Sequence, residues 1–364
     1  MARIFLLLLG TAILFACERD AGEPDSADTG EAMYFPPKSG STWATLSPED
    51  LGWSGMDIDE LYTFLEENNT RAFLLLKDGK IVLENYWGTT LLGNADFDRD
   101  SPWYWASAGK TLTAFLVGKA QEGNYLNISE ASQNYLGAGW SSLSPEQETA
   151  ITIRHHLTMT TGLDYRVSDL NCTDPECLSY RAAPGSQWYY HNAPYTLLER
   201  VVEQATNEDY NNYTDQELQS TIGMEGTWLQ NGYNNVYYST ARDAARFGLL
   251  MLNEGSWDGQ TIMEDQTYLQ AMITPSQELN PAYGYLWWLN GQEKAIYPGL
   301  PTAFLGAMAP QAPADLFAGL GKNGQFVGIV PSQNIVVIRM GMAPDDALVP
   351  IQFHNEMWRL ISGL

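Results

Sequence analysis

Ala72-Phe73-Leu74-Leu75-Leu76-Lys77-Asp78-Gly79-Lys80-Ile81-Val82-Leu83-Glu84-Asn85-Tyr86 is the stretch whose reading decides the fold. Two apolar runs flank Asp78-Gly79, a dipeptide suited to the positive φ angles of a tight hairpin turn. Residues 72–76 and 81–86 are therefore predicted to be paired antiparallel strands. Working outward, Asp57 to Asn68 carries Leu61, Phe64 and Leu65 at helical spacing after an acidic start, which predicts a helix. Far along the chain, Tyr283–Leu289, Phe326–Val330 and Ile335–Met340 read as three more strands, and Ile351–Ile361 as a closing helix. Between these ends lie helical patterns at Leu112–Gln121, Ile153–Met159, Thr196–Ala205 and Ala241–Asn253. Strands at both ends with helices between predict an α/β chain of the α+β type. Its antiparallel sheet is flanked by helices, and an all-α lobe is inserted over roughly residues 106–240. The cleft between sheet and lobe is the natural place for a site.

The composition sets outer limits. With 45% hydrophobic residues, 12 Trp and 20 Tyr in 364 residues, the chain can bury a large core. Its formal net charge is -25, and seven of its 19 basic residues are lysines. Such a field repels a phosphate backbone, so no nucleic-acid partner is expected.

At the N-terminus, the positive Met1-Ala2-Arg3 precedes an apolar run from Ile4 to Phe15, interrupted only by Gly10 and Thr11. The run is too short to cross a hydrocarbon layer of about 30 Å and reads as a signal-peptide core. It ends in Leu14-Phe15-Ala16-Cys17, which resembles a bacterial lipoprotein box. That resemblance implies acylation of Cys17, an N-terminal lipid anchor in a membrane, and a place in the bacterial cell envelope. Glu18 in the next position leans towards the periplasmic side of the outer membrane. An ordinary secretory signal followed by an incidental cysteine is the alternative. Residues 1–16 are then signal peptide, and 17–46, rich in Asp, Glu, Gly, Ser, Pro and Thr, a flexible tether. Residues 47–364 form the folded domain. Cys172 and Cys177 enclose a short loop and are read as a possible disulfide or as free thiols. As half a metal site they lack a second ligand pair nearby.

Two stretches carry candidate chemistry. Ser107-Ala108-Gly109-Lys110 precedes the apolar pattern Leu112, Phe115, Leu116, so serine and lysine fall on one face of a helical turn. A lysine that is buried at a helix N-terminus loses basicity, and a neutral amine beside a hydroxyl makes a nucleophile–base pair. With seven lysines and about 6% serine, about 0.4 chance occurrences of Ser-x-x-Lys are expected, so the spacing alone does not separate this pair from a capping serine and a solvated lysine. Gly109-Lys110-Thr111 could also end a phosphate-binding loop, but that motif needs glycine where this chain has Tyr104. The second stretch is Tyr190-His191-Asn192, between the turn Pro184-Gly185-Ser186 and an apolar helix. A phenol near a Ser–Lys pair can relay a proton, and Asn192 could orient Lys110 and bond a substrate carbonyl. A buried tyrosine beside a turn asparagine is the plainer alternative.

Four blocks occur in order. They are Trp105-Ala106-Ser107-Ala108-Gly109-Lys110; Ile153 to Leu163; Pro184-Gly185 with Trp188-Tyr189-Tyr190-His191-Asn192; and Ser239-Thr240-Ala241-Arg242 with Phe247-Gly248-Leu249-Leu250. Together they resemble the class C β-lactamase-related serine hydrolases, a group of esterases, D-aminopeptidases and nylon-oligomer hydrolases. The resemblance covers roughly residues 50–364 and implies a β-lactamase/transpeptidase-like fold. It also implies Ser107 as nucleophile, Lys110 as base, Tyr190 as proton relay, and a small-molecule or peptide-like carbonyl substrate cleaved without a cofactor. The family often has Lys-Thr-Gly or His-Thr-Gly on the strand lining the cleft. Here that position holds Gly319-Leu320-Gly321, followed by Lys322. By the resemblance, the backbone N–H groups of Lys322 and Ser107 form the oxyanion hole, with Gly321 allowing close approach. The usual grip on a β-lactam carboxylate is missing, which favours esters or amides over a true β-lactamase. A non-catalytic envelope binding or sensor protein with the same cleft is the alternative from another class.

The histidines offer less. There are four, at 155, 156, 191 and 354, with no Gly-x-Ser-x-Gly elbow. His155 and His156 are read as packing or local bonding, and His191 as facing either cleft or solvent. No metal is implied. Tyr283-Gly284-Tyr285-Leu286-Trp287-Trp288 is read first as core and second as an apolar cleft wall.

Overall fold

The computed structural model describes residues 33–364, so the expected signal segment and Cys17 lie outside the described residues. The sequence hairpin forms as expected. Strand β1 (Thr70–Lys77) turns through Asp78 (φ 51°) and Gly79 (φ 81°) into strand β2 (Lys80–Tyr86). The strands β3 (Trp288–Leu289), β4 (Phe317–Gly321), β5 (Gln325–Val330) and β6 (Ile335–Gly341) complete one antiparallel sheet in the order β2-β1-β6-β5-β4-β3. The first and last strands of the sheet thus lie side by side, with β1 pairing Leu74 with Ile338 and Leu76 with Val336 on β6.

Both faces of the sheet are covered, which is why its central strands are apolar runs instead of alternating patterns. Helices α1 (Gly55–Glu67) and α5 (Ile351–Ile361) lie on one face, where Phe353 stacks on Phe64 and on Phe326. Helix α4 (Ala241–Leu252) covers the other, and a Cβ on its Gly248 would meet Val336 Cγ1 at 2.5 Å. Between β2 and α4 runs the lobe, with its long helices α2 (Lys110–Glu122) and α3 (Asn192–Thr206). The lobe also carries a small sheet, in which Asn234–Ser239 pairs with both Trp103–Tyr104 and Thr227–Asn231. Among the described residues, no helix is long and apolar enough to cross a membrane.

Three expectations are corrected. The lobe, expected as all-α, carries the small sheet just described. Residues 33–46, expected as the end of a flexible tether, pack on the body. Tyr34 N donates to Asp78 O, Trp43 Nε1 to Gly79 O, and Leu46 N to Ile81 O, while Phe35 meets Trp257. A polar composition hid three anchoring aromatics. Tyr283–Leu289, expected as one strand, pairs in the sheet only at Trp288–Leu289. Leu286 adopts φ 62°, which breaks the extended run, and Gly284 is pressed against Met272 O. The stretch is core: Tyr283, Trp287 and Trp288 are all fully buried.

Candidate active site

The site begins where the chain leaves the small sheet. Trp105 N donates to Tyr237 O (2.8 Å) and its indole Nε1 to Ser239 Oγ (2.8 Å), which pins the residue before the turn. Ala106 then takes φ 46°, a left-handed conformation costing an alanine about 1–2 kcal/mol. The kink starts a 3-10 turn, Ala106–Gly109, that runs directly into α2 at Lys110. Ser107 makes no capping bond. Its Oγ instead lies 2.9 Å from Lys110 Nζ. The serine is half-buried and open to a cavity, whereas the lysine is buried.

Lys110 sits among aromatic rings, with Nζ 5.0 Å from the centroid of Tyr190 and 4.2 Å from that of Tyr195. Burial lowers its pKa from 10.5 to about 7. The Tyr190 phenol moves the other way: burial raises it well above its ordinary value, with hydrogen bonding to Ser107 pulling partly back. At neutral pH the lysine can therefore accept a proton while the tyrosine keeps its own. Opposite shifts on neighbouring groups are what assign a base and an acid. The Tyr190 ring is held by stacking on Trp288 (centroids 5.8 Å apart), so the aromatic stretch of the core positions it from behind.

A cavity of 350 Å³ opens over Ser107 and Lys110. Asn192, at the start of α3, lines it, but its amide nitrogen donates to Asn171 Oδ1 (2.8 Å) and makes no bond to Lys110. Its Oδ1 is buried without a protein partner and is free to accept a donor. Asn171, Asn231, Asn234 and Asn235 line the same cavity, giving it an uncharged amide wall.

Gly319 and Gly321 bring β4 against the serine turn. A Cβ on Gly321 would fall 2.6 Å from Trp105 O and 3.0 Å from Ala108 N, and one on Gly319 would fall 3.2 Å from Ala108 O. Lys322 follows and lines the cavity with an exposed side chain. The buried guanidinium of Arg339 clasps the next turn from behind, donating to Asn323 O (2.6 Å) and Gly324 O (3.1 Å). It also donates to Asn68 O (2.8 Å), which ties this turn to the end of α1.

Cys172 and Cys177 form a disulfide with Cα atoms 5.9 Å apart, immediately after Asn171. His155 caps its own helix at Thr152, a local role, whereas His156 reaches across the lobe to Pro194 O and Ser132 Oγ, 38 and 24 residues away. His191 is buried, and desolvation lowers its pKa to about 4. The sequence reading missed Tyr195, Asn171 and the Asn231–Asn235 hairpin. Tyr195 had a signal, since it lies three residues after Asn192 on the first turn of the same helix. The asparagines had none, because Asn171 and the hairpin lie far apart in the chain and meet only in the fold.

The sequence profile of the family described as Beta-lactamase matches residues 68–344. Among solved structures, a Bacillus anthracis protein assigned as a 6-aminohexanoate-dimer hydrolase is similar at 18% identity, with a TM-score of 0.67 over 91% of this chain and 89% of that one. A D-alanine carboxypeptidase from Burkholderia cenocepacia is 18% identical, with a TM-score of 0.60 over 87% of this chain and 99% of that one. A penicillin-binding protein from Bacillus halodurans is 16% identical, with a TM-score of 0.59 over 83% and 97%. At these identities the likeness is one of fold, and it agrees with the β-lactamase/transpeptidase-like architecture expected from sequence.

Proposed function

This chain belongs to the Beta-lactamase family, and from that premise we propose that it is a serine hydrolase cleaving an ester or amide through an acyl-enzyme on Ser107. The observation that carries the reading is the 2.9 Å contact between Ser107 Oγ and a buried Lys110 whose pKa lies near 7. In acylation, Ser107 Oγ attacks the carbonyl carbon and its proton passes to Lys110 Nζ. The oxyanion is held by the N–H groups of Ser107 and Lys322. The carbon–heteroatom bond then breaks, and the leaving group takes a proton through Tyr190, which recovers it from Lys110. Water repeats the sequence on the acyl-serine, releasing the acid and restoring both side chains. The opposed pKa shifts of lysine and tyrosine support this division of roles.

A fluorophosphonate tests the reading directly. It should label the protein stoichiometrically at Ser107, and Ser107→Ala should lose both labelling and turnover. Labelling at another serine would overturn it. Stoichiometric acylation without turnover of any ester or amide would identify a binding or sensor protein instead.

We also propose export and lipid anchoring through Cys17. Cys17→Ala should release the protein from membranes, and unchanged fractionation of that variant would refute the anchor.

A further inference from the structure

The polar face of α3 does not end at the cleft. Asn192 and Tyr195 line the cavity over Ser107, and Tyr195, Thr196 and Glu199 line a second, smaller one. Thr113, Tyr210, Trp228 and Asn235 complete its wall. The tie between the two is a bond: the Glu199 carboxyl accepts from the side-chain amide of Asn235, and Asn235 stands in the asparagine wall over Ser107.

Glu199 is half-buried, and its surroundings are acidic or neutral. Glu203 and Tyr195 face it from its own helix, Asp209 and Tyr210 from the turn that follows, and Asn235 from the small sheet. Helix α2 presents the Thr113 hydroxyl there and turns Lys110 to the ring of Tyr195. Burial, and after it the Glu203 charge, raise the Glu199 pKa to about 7, with the Asn235 bond pulling partly back. An ionised carboxyl only accepts hydrogen bonds, so it must hold the Nδ2 end of Asn235. A protonated one carries an O–H and can donate to the Oδ1 end.

We propose that Glu199 is a positioning residue that sets which end of the Asn235 amide the substrate meets. The carboxylate keeps Nδ2 and leaves Oδ1 to the cleft, where it accepts from an N–H or O–H near the scissile carbonyl. The acid takes Oδ1 and presents Nδ2, which suits an ether or ester oxygen. Substrates bearing a donor are therefore favoured above about pH 7, and those bearing only acceptors gain below it. The inference rests on the hydrolase reading and adds to it a rule for the substrate.

Two isosteric probes test this, the p-nitrophenyl esters of N-acetylglycine and of acetoxyacetic acid, which differ by N–H against O. Each kcat/KM follows the ionisation of Lys110, so the ratio of the two cancels it. In the wild type the ratio of N–H to O substrate should rise about three- to tenfold between about pH 5.5 and 8.5, the worth of one hydrogen bond gained. Glu199→Gln cannot ionise, so its ratio should be flat with pH, and fluorophosphonate labelling at Ser107 shows that this variant is folded. Asn235→Ala, which leaves the carboxyl and removes the amide, should give a flat ratio as well. A wild-type ratio that is flat or falls with pH would overturn the proposal. So would a rising ratio that survives in either variant. Failure of the hydrolase reading looks different: p-nitrophenol release from both probes would then persist in Ser107→Ala.

Discussion

Lys110 Nζ lies closer to the face of Tyr195, at 4.2 Å from the centroid, than to that of Tyr190, at 5.0 Å. An aromatic face attracts a cation, while burial repels one, so the two effects act on this nitrogen with opposite signs. Burial dominates and brings the amine to about 7.

That balance can be moved. Below pH 7 the amine is an ammonium and cannot take the serine proton, so kcat/KM should rise with pH through an apparent pKa of about 7. Tyr195→Leu removes the ring that favours the ammonium. The limb should then shift to lower pH by about 0.4 to 1.5 units, given a cation–ring attraction of about 0.5–2 kcal/mol. The plateau should fall as well, because the same ring faces the ammonium formed during acylation. A pH–rate profile of the two proteins decides, and a limb that moves upward refutes the arrangement.

Replacing the base should separate chemistry from stability. Lys110→Met should slow acylation by about 10²–10⁴-fold, measured as the rate of p-nitrophenol release. It should also raise Tm. The folded-state pKa of Lys110 lies below its unfolded value, so the unfolded chain binds the extra proton between about pH 7 and 10.5. Wild-type stability therefore increases with pH across that window, and the burden of the buried amine is greatest below pH 7. The Tm gain of the variant should be largest at pH 6 and shrink towards pH 10. A gain independent of pH would mean that the lysine is not the titrating group.

Gly321 offers a test of the strand behind the serine. A methyl group there must displace either Trp105 O or β4 itself. Gly321→Ala should cut kcat by about 10²–10³-fold, the usual effect of losing one oxyanion donor, with a far smaller change in KM. Gly319→Ala, whose added methyl meets Thr111 Cγ2 at 3.1 Å, should be the milder of the two. Equal kcat in Gly321→Ala and wild type would remove β4 from the oxyanion hole.

The parts legible in sequence were those with local causes. Asp78-Gly79 declares its turn by its own φ preferences, and Ser107 and Lys110 declare a shared face by their spacing. What escaped depends on distant partners. Trp43 is fixed by Gly79 O, Leu46 by Ile81 O, and Asn192 by Asn171, and none of these pairings leaves a periodic trace. Leu286 escaped for the opposite reason: a run of apolar residues promised extension, and tertiary packing imposed a left-handed break.

The glycine-rich strand β4 should set a preference among substrates. Gly319-Leu320-Gly321 offers no hydroxyl and no cation within the strand, and the Lys322 side chain is exposed at the cavity edge. Simple esters or amides should therefore be hydrolysed faster than a chromogenic cephalosporin or penicillin, by about tenfold or more in kcat/KM for one missing charge-assisted contact. A β-lactam turned over faster than every ester and amide in the same assay would reverse this ranking.

The Cys172–Cys177 disulfide closes its loop one residue beyond Asn171, which holds the Asn192 amide at 2.8 Å. One wall of the cleft is thereby fastened to a bond that only an oxidising compartment maintains. Thiol reductants should loosen Asn171 and release Asn192 while leaving the Ser107–Lys110 pair in place. Discrimination among substrates would then follow the redox state of this one loop, tight when it is oxidised and relaxed when it is reduced.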